Sequence, residues 1–485
     1  MDTNQNIVKN TFVLLIAQLV NIILSMIYTL YAARYLGVES FGILNFGISI
    51  TNILAVFMNL GLNTLMTREI SRDKSIGDIY FGNSIIMRMI LILVSFAMTV
   101  IIILLSGFSN EMIIVIIIMA ISTIFLAFSQ IFYAIFQAFE KMEYQAISLV
   151  LNSVIILIGI LLSINKGMGL NDFALVYLIA NIITAIFGLI VTIDKISKPK
   201  ISIDIVFWKS TIIEVIPFSI ILITGIVYST FDSIMLMLFK GSGALGVYSA
   251  AYKLVALLVI IPNIVNIAIF PVLSRYYIHS PMALEALVHK YMKMMLILGI
   301  PIGFGVTLLA SRIISLLYGE GYAQSIIVLQ ILIWAIIFTY AGAAYTQLYA
   351  ATNKQNILTK LNIFSMVLNI VLNIILISIL SYTGAGISRM ITEMFMVSSL
   401  LIITYKMGYF TRIPNIFRDL IKIIISSLIM TTFMLFMMNI NLLILIVLAM
   451  AIYFTALLMM GGIDKDNILL FKNIILTKIN RNIKF

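Results

Sequence analysis

Apolar residues run along this chain in blocks of about twenty, separated by short polar breaks. A hydrocarbon core about 30 Å thick needs about 20 apolar residues in a helix that rises 1.5 Å per residue. The blocks therefore predict about fourteen membrane-spanning helices joined by short loops. Their approximate ranges are 10–33, 41–63, 81–106, 112–139, 144–164, 172–193, 212–238, 245–273, 290–310, 325–350, 356–381, 384–405, 419–438 and 441–461.

The distribution of basic residues predicts how these helices cross the membrane. Most of the 30 Lys and Arg lie in alternate loops and in the termini, whereas the opposite loops hold only Arg34, Lys166, Lys240 and Arg312. Positively charged loops stay cytoplasmic. We therefore expect a multi-pass protein of the cytoplasmic membrane with both termini cytoplasmic and an even number of spans. The basic tail after Gly462 is suited to lie on anionic lipid.

Composition narrows the class of function. The chain is 62% hydrophobic and 10% charged, and no soluble fold could bury that much apolar surface. Its net charge of +11 comes from loop residues, so nucleic acid is not an expected partner. With no Cys and only two His, no metal site or cofactor is expected. The sequence contains no grouping typical of a catalytic site. The Asp464 and Asp466 pair lies on the predicted cytoplasmic tail. An enzyme is therefore not expected.

A repeated segment divides the chain. The stretch from Gly37 to Asn45 resembles the stretch from Gly241 to Ser249, and both pairs of glycines match at an offset of 204 residues. Six predicted helices separate the copies, so the two halves have the same orientation in the membrane. The predicted fold is an all-α integral membrane protein of two six-helix lobes, 1–200 and 201–410, followed by a helix pair and tail, 411–485.

Three motifs resemble those of a known family. They are Arg34-Tyr35-Leu36-Gly37 followed by Phe41-Gly42, Arg68-Glu69-Ile70, and the run from Gly246 to Lys253. The chain resembles the polysaccharide flippases of the multidrug, oligosaccharidyl-lipid and polysaccharide exporter superfamily over nearly its whole length. The resemblance implies two lobes that alternate between inward-open and outward-open states. It also implies translocation of an undecaprenyl- or dolichyl-linked oligosaccharide across the cytoplasmic membrane.

Amide side chains form stripes on the first two predicted helices. Asn45, Asn52 and Asn59 are spaced by seven residues, and Gln18 and Asn21 form a similar stripe on the preceding helix. Residues seven apart lie on one face of a helix. Amides both donate and accept hydrogen bonds, as sugar hydroxyls do, so the stripes predict a hydrated substrate cavity. The alternative is that they bind neighbouring helices to one another.

Cationic residues within the spans are the second part of the predicted substrate cavity. Arg88 and Lys253 each lie several residues inside a predicted helix, where a charge is costly unless it faces water or a partner. Both could neutralise a pyrophosphate. The alternative for Arg88 is an extended side chain that reaches the cytoplasmic interface, and for Lys253 an ion pair with Asp232.

Three residues of the seventh predicted helix are candidates for coupling or gating. Asp232 and Glu214 could exchange a proton or bind a cation, so the expected coupling ion is H⁺ or Na⁺. Pro217 removes a backbone donor and could bend the helix at a gate. The alternative for Glu214 is simple placement at the membrane interface.

Two transport functions compete with oligosaccharide flipping. A cation-coupled exporter of small molecules or drugs belongs to the same superfamily, but it would be expected to hold deep acidic residues. A flippase for a lipid-linked peptidoglycan precursor shares the anionic, phosphate-bearing substrate. The expected partners are a lipid-linked oligosaccharide, membrane lipids and other membrane proteins of glycan assembly.

Overall fold

The computed structural model describes residues 3–200, 204–408 and 416–463, and these form helices joined by short turns. The α-helices are α1 (Thr3–Asn59), α2 (Leu62–Arg72), α3 (Gly77–Ser106), α4 (Asn110–Ala138), α5 (Met142–Asn165), α6 (Leu170–Lys195), α7 (Ile205–Leu258), α8 (Ile260–His279), α9 (Pro281–Leu317), α10 (Ser325–Ala351), α11 (Gln355–Lys406), α12 (Ile416–Phe436) and α13 (Leu442–Met459). Short 3₁₀ turns lie at Lys74–Ile76 and Glu320–Tyr322.

Within the described residues, eleven helical runs are long and apolar enough to cross a membrane. Three of these runs are each interrupted by one residue with non-helical dihedral angles. These residues are Gly37 in α1 (φ 74°, ψ 176°), Gly241 in α7 (φ 80°, ψ −177°) and Ser381 in α11 (φ 55°, ψ −134°). Gly37 and Gly241 fall between two predicted spans, and Ser381 is the last residue of the predicted span 356–381. The chain therefore changes direction at single residues where short loops were expected.

Several helix ends differ from the predicted ranges. The polar helix α2 follows the second predicted span and has no counterpart among the predictions, because its polar residues interrupt the apolar pattern. The predicted span 290–310 lies within the longer α9, which begins at Pro281 after the capping residue Ser280. The Ser280 hydroxyl accepts a hydrogen bond from the Ala283 amide, and proline is well tolerated in the first turn of a helix.

The chain forms two compact units, Met1–Ser249 and Ala250–Phe485. In the first unit, α4, α5 and α6 pack around buried apolar residues that include Val115, Ile160 and Phe173. Gly188 lies against Phe132 so closely that an added Cβ would be 2.5 Å from the ring. Small residues of this kind let membrane helices approach closely, where lipid provides no hydrophobic driving force between them.

In the second unit, the helix pair α12 and α13 is attached to α9 at three positions. Lys293 forms an ion pair with Asp419 at 3.2 Å. The Tyr453 hydroxyl donates to the Ile297 carbonyl at 2.8 Å. Arg312 donates to the carbonyls that connect α12 and α13, at Met438 and Ile440. The basic tail lies outside the described residues, and the lobe boundaries near 200 and 410 remain predictions.

Candidate functional site

The three asparagines of the α1 stripe have three different environments. Asn45 is buried, and its Nδ2 donates to the Phe41 carbonyl at 2.7 Å. Asn59 accepts hydrogen bonds from Arg88 and from the Asn63 amide. Asn52 is the one exposed residue between positions 40 and 59, with Thr51 buried before it and Ile53 partly buried after it. An exposed polar side chain on a segment that is otherwise buried or partly buried is a candidate contact for a polar ligand.

The amides near the start of α1 also differ. The apolar residues Phe12, Ile16 and Ile23 are exposed along one stripe, as expected of a lipid-facing surface. Gln18 is exposed as well, but it lies about 140° around the helix from the middle of that stripe at about 100° per residue. Asn21 accepts a hydrogen bond from the Ser153 hydroxyl of α5. Gln18 is therefore exposed on a different face from the lipid-facing stripe, while Asn21 joins α1 to α5.

A polar network among α4, α5 and α6 was not anticipated from the sequence. Asn152 donates to Asn181 Oδ1 at 2.9 Å and to Thr184 Oγ1 at 3.0 Å. Asn181 Nδ2 donates to the Ser122 hydroxyl at 2.8 Å. Isolated polar residues on three different helices have no common spacing along the chain, so only the tertiary structure brings them together. Their hydrogen bonds join the helices to one another.

Arg88 is fully buried and joins three helices. Its Nη1 donates to the Ala127 carbonyl of α4 at 3.2 Å, and its Nη2 donates to Asn63 Oδ1 of α2 at 2.6 Å. Its Nε has no partner among the described residues. The guanidinium thus donates hydrogen bonds to two side-chain amide oxygens and one backbone carbonyl. No carboxylate of the described residues forms an ion pair with it.

Asp232 and Lys253 both lie on α7, on either side of the break at Gly241. Asp232 is buried, and its Oδ2 accepts a hydrogen bond from the Tyr248 hydroxyl at 2.9 Å. Lys253 is half-buried. Both the predicted contact of Lys253 with a pyrophosphate and its alternative, an ion pair with Asp232, remain predictions.

Glu214 forms a cluster of charges with α2. Arg68 Nη2 lies 2.5 Å from Glu214 Oε2, and Arg68 Nε lies 2.6 Å from Glu69 Oε1. The guanidinium also lies over the Phe218 ring, 5.7 Å from its centroid. Glu69, and then Glu214, raise the pKa of Arg68, so this side chain stays cationic. The sequence identified Glu214 but not its partner, because the two residues are 146 positions apart.

Further contacts join the N-terminal part of α7 to the turn between α1 and α2 and to α3. The Ser219 hydroxyl donates to the Leu60 carbonyl at 2.7 Å. Phe218 lies so close to Gly61 that an added Cβ there would be 2.6 Å from the Phe218 Cβ. The Trp208 indole donates to Asn83 Oδ1 at 2.8 Å. Pro217, which was expected to bend the helix, lies within this contact region. The residue with non-helical dihedral angles in α7 is Gly241.

Solved structures with a similar fold include a lipid flippase and multidrug resistance transporters. Lipid II flippase MurJ, in an inward closed conformation, matches with a TM-score of 0.75 and 18% identity, covering 92% of this chain and 98% of MurJ. An inward-facing multidrug resistance MATE family transporter matches with a TM-score of 0.67 and 18% identity, covering 80% and 94% of the two chains. These likenesses establish the fold.

The chain belongs to the polysaccharide biosynthesis protein family, whose sequence profile matches residues 7–277. The MatE profile matches residues 217–375. The resemblance noted in the sequence motifs is therefore confirmed.

Named relatives are similar over most of their length or over part of it. A putative O-antigen transporter of Escherichia coli strain K12 is 22% identical, covering 83% of this chain and 97% of the relative. Capsular polysaccharide biosynthesis protein CapF of Staphylococcus aureus is 23% identical, covering 80% and 96%. Probable low-salt glycan biosynthesis flippase Agl15 of Haloferax volcanii is 25% identical, and the match spans 34% of this chain and 35% of the relative.

Proposed function

We propose that this protein is an alternating-access flippase that moves a polyprenyl-(pyro)phosphate-linked oligosaccharide across the cytoplasmic membrane for surface polysaccharide or glycan assembly. The observation that supports this most is the pair of open amides on α1. Asn52 is the one exposed residue between positions 40 and 59, and Gln18 is exposed away from the lipid-facing stripe. Neutral groups that both donate and accept hydrogen bonds suit a glycan better than an apolar drug.

The proposal includes fourteen spans in two six-helix lobes with a terminal pair. The single-residue breaks at Gly37, Gly241 and Ser381 support this count, because each separates two helical stretches that were predicted as separate spans. The nearly identical dihedral angles at Gly37 and Gly241 support the repeat at an offset of 204 residues. The lobe boundaries stay at 1–200, 201–410 and 411–485, with both termini cytoplasmic.

The cationic residues take different parts in the proposal. Lys253 is only half-buried, so it is the stronger candidate to contact the pyrophosphate. Arg88 is enclosed by Asn59, Asn63 and the Ala127 carbonyl, so it would reach a phosphate only after those contacts change. Asn45 and Asn21 contribute by holding α1 in place, and Gln18 and Asn52 by touching the glycan.

Coupling and gating are assigned to α7. The buried carboxylate of Asp232 is the candidate that exchanges H⁺ or binds Na⁺, with the Tyr248 hydroxyl as its neighbour. Glu214 pairs with Arg68 and supports closure at the cytoplasmic ends of the helices, and Pro217 lies inside that contact. Membrane lipids and other glycan-assembly proteins remain the proposed partners, and the chain is proposed to have no catalytic activity.

Reconstitution into vesicles tests the substrate class. Three fluorescent probes would be compared in proteoliposomes: a polyprenyl-pyrophosphate oligosaccharide, a lipid-linked peptidoglycan precursor, and a monovalent organic cation. A membrane-impermeant quencher reports how much of each lipid probe crosses the bilayer. We expect rapid flipping of the oligosaccharide lipid and slow movement of the others.

The three probes separate the alternatives. Preferential flipping of the peptidoglycan precursor would favour the second flippase assignment, for which the similarity to the MurJ fold is the specific support. Movement of the organic cation alone would favour a drug exporter. Failure of every probe to move faster than in protein-free vesicles would contradict the proposal.

A further inference from the structure

The two copies of the repeated segment contact each other within the first compact unit. An added Cβ on Gly42 would lie 1.9 Å from the carbonyl oxygen of Ser242, and one on Gly246 would lie 2.0 Å from the carbonyl oxygen of Val38. Real Cβ atoms do not approach a backbone oxygen so closely. The backbones of the two segments therefore meet directly at both glycines.

These contacts follow the register of the repeat. At the offset of 204 residues, Val38 corresponds to Ser242 and Gly42 corresponds to Gly246. The contact of Gly42 with Ser242 is thus the same as the contact of Gly246 with Val38, with the two copies exchanged. A surface on which residue i meets j while j meets i is the hallmark of two-fold symmetry.

A third contact lies where such an axis would pass. An added Cβ on Gly243 would lie 3.8 Å from Glu39 Cγ, and Gly243 is the counterpart of Glu39 in the repeat. A residue on a two-fold axis meets its own counterpart, so this pair agrees with the first two. The helical segments that follow Gly37 and Gly241 therefore meet in a pseudo-symmetric backbone contact.

The contact lies just after the break of α1 at Gly37, and the charge cluster lies beyond the C-terminal end of α1. From Gly42 to Asn59 the helix extends about 25 Å at 1.5 Å per residue, and Arg68 with its partner Glu214 follows beyond that. The basic loops predict that the glycine end faces outward. The α1 segment from Gly37 to Asn59 therefore has the backbone contact with residues 242–246 at its start, and the ion pair between Arg68 of α2 and Glu214 of α7 lies beyond its end.

We propose that Gly42 and Gly246 form a two-fold backbone seal that closes the outer end of the substrate path and must separate in every transport cycle. We call this contact of residues 38–42 with residues 242–246 the glycine seal. This inference rests on the proposed flippase function. The glycines act by position: without a side chain, they allow Cα–H···O contacts between the segments, and such contacts are individually weak enough to break repeatedly.

The absence of cysteine in the chain makes a direct test straightforward. Glu39→Cys and Gly243→Cys would be introduced together, and formation of the intrachain disulfide followed in the membrane by mass spectrometry. We expect efficient cross-linking in this background. Adding Gly42→Ala or Gly246→Ala should reduce cross-linking about tenfold, because a methyl group at either position forces the carbonyl opposite to move away.

Gly225→Ala is the matched control, because its added Cβ would meet no atom within 4 Å. It should leave cross-linking unchanged. Equal cross-linking in Gly42→Ala and Gly225→Ala would overturn the proposal, and so would the absence of cross-linking in the parent pair. The disulfide itself provides a second test that needs no glycine substitution: flipping should stop on oxidation and return on reduction, and flipping that continues in the oxidised protein would exclude an opening seal.

The two readouts separate this inference from the proposed function. Cross-linking reports the contact without any substrate, so loss of cross-linking in Gly42→Ala together with no flipping by the wild type would keep the glycine seal and refute the flippase. Normal flipping by the wild type and by the oxidised cysteine pair would support the flippase and refute the glycine seal.

Discussion

Asn52 and Asn45 lie seven residues apart on α1 and differ in exposure. Replacing Asn52 should therefore affect transport, and replacing Asn45 should affect stability. Asn52→Ala should slow oligosaccharide flipping about two- to tenfold, the value of one hydrogen bond to a sugar hydroxyl, and leave the melting temperature unchanged. Asn45→Ala should lower the melting temperature because its side chain is buried and bonded to Phe41. Heated detergent samples analysed by size-exclusion chromatography measure stability. Equal loss of stability in both variants would contradict this assignment.

Arg88 is expected to stabilise the fold as much as it serves transport. Arg88→Ala removes the donors to Asn63 and Ala127, and each buried group left unsatisfied costs about 1–3 kcal/mol. The melting temperature should fall, and Arg88→Lys should restore little, because one ammonium cannot span both acceptors. Met89→Ala, at an exposed neighbour, is the control and should have no effect. A stable Arg88→Ala that fails only in transport would assign the residue to substrate binding.

The sequence identified the residue types of the candidate site better than their environments. Seven-residue spacing correctly groups Asn45, Asn52 and Asn59 on one helix stripe. The spacing alone does not show that the side chain of Asn59 is directed at Arg88, since that contact joins α1 to α3. Arg68 was recognised only within a family motif, because its ion pair with Glu214 depends on a chain reversal over many helices.

At the scale of elements, the ion pair between α2 and α7 predicts a measurable coupling. Arg68→Gln and Glu214→Gln should each loosen the contact, and the double variant should add little further loss. The coupling free energy is expected to be about 0.2–1 kcal/mol, since both side chains are partly exposed. Denaturation of the four proteins gives the coupling. Strict additivity would mean that the pair does not hold α2 and α7 together.

The break in α11 predicts a stabilising substitution. Ser381 has a φ of 55°, a conformation that glycine adopts without steric cost but serine does not. Ser381→Gly should raise stability by about 1 kcal/mol. Ser378→Gly, in regular helix three positions earlier, should lower it instead. If both substitutions destabilise the protein equally, residue 381 is not under backbone strain.

Apolar periodicity predicted where the helices lie but not how they join. Blocks of apolar residues mark spans because lipid demands them, and the breaks at Gly37 and Gly241 fall between predicted spans. The pattern could not show that single residues replace loops there, since turn geometry depends on dihedral angles. The polar helix α2 was missed because its own residues interrupt the apolar pattern.

At the scale of the whole molecule, family and fold agree with the sequence motifs. The polysaccharide biosynthesis profile covers residues 7–277, and the MurJ structure matches 92% of the chain. Composition alone could indicate a membrane transporter but not its substrate, because apolar spans are common to all such proteins. The substrate assignment depends on a few polar side chains, above all Gln18 and Asn52.

The most direct measurement of the central claim, that a lipid-linked glycan passes along the open polar face of α1, is site-specific photo-cross-linking. A photoreactive amino acid would replace Asn52, Gln18 or, as a control, the lipid-facing Ile23, in vesicles that contain a radiolabelled polyprenyl-pyrophosphate oligosaccharide. We predict that the glycan is captured from positions 52 and 18 and not from position 23. Capture from position 23 alone, or equal capture from all three, would contradict the proposed path.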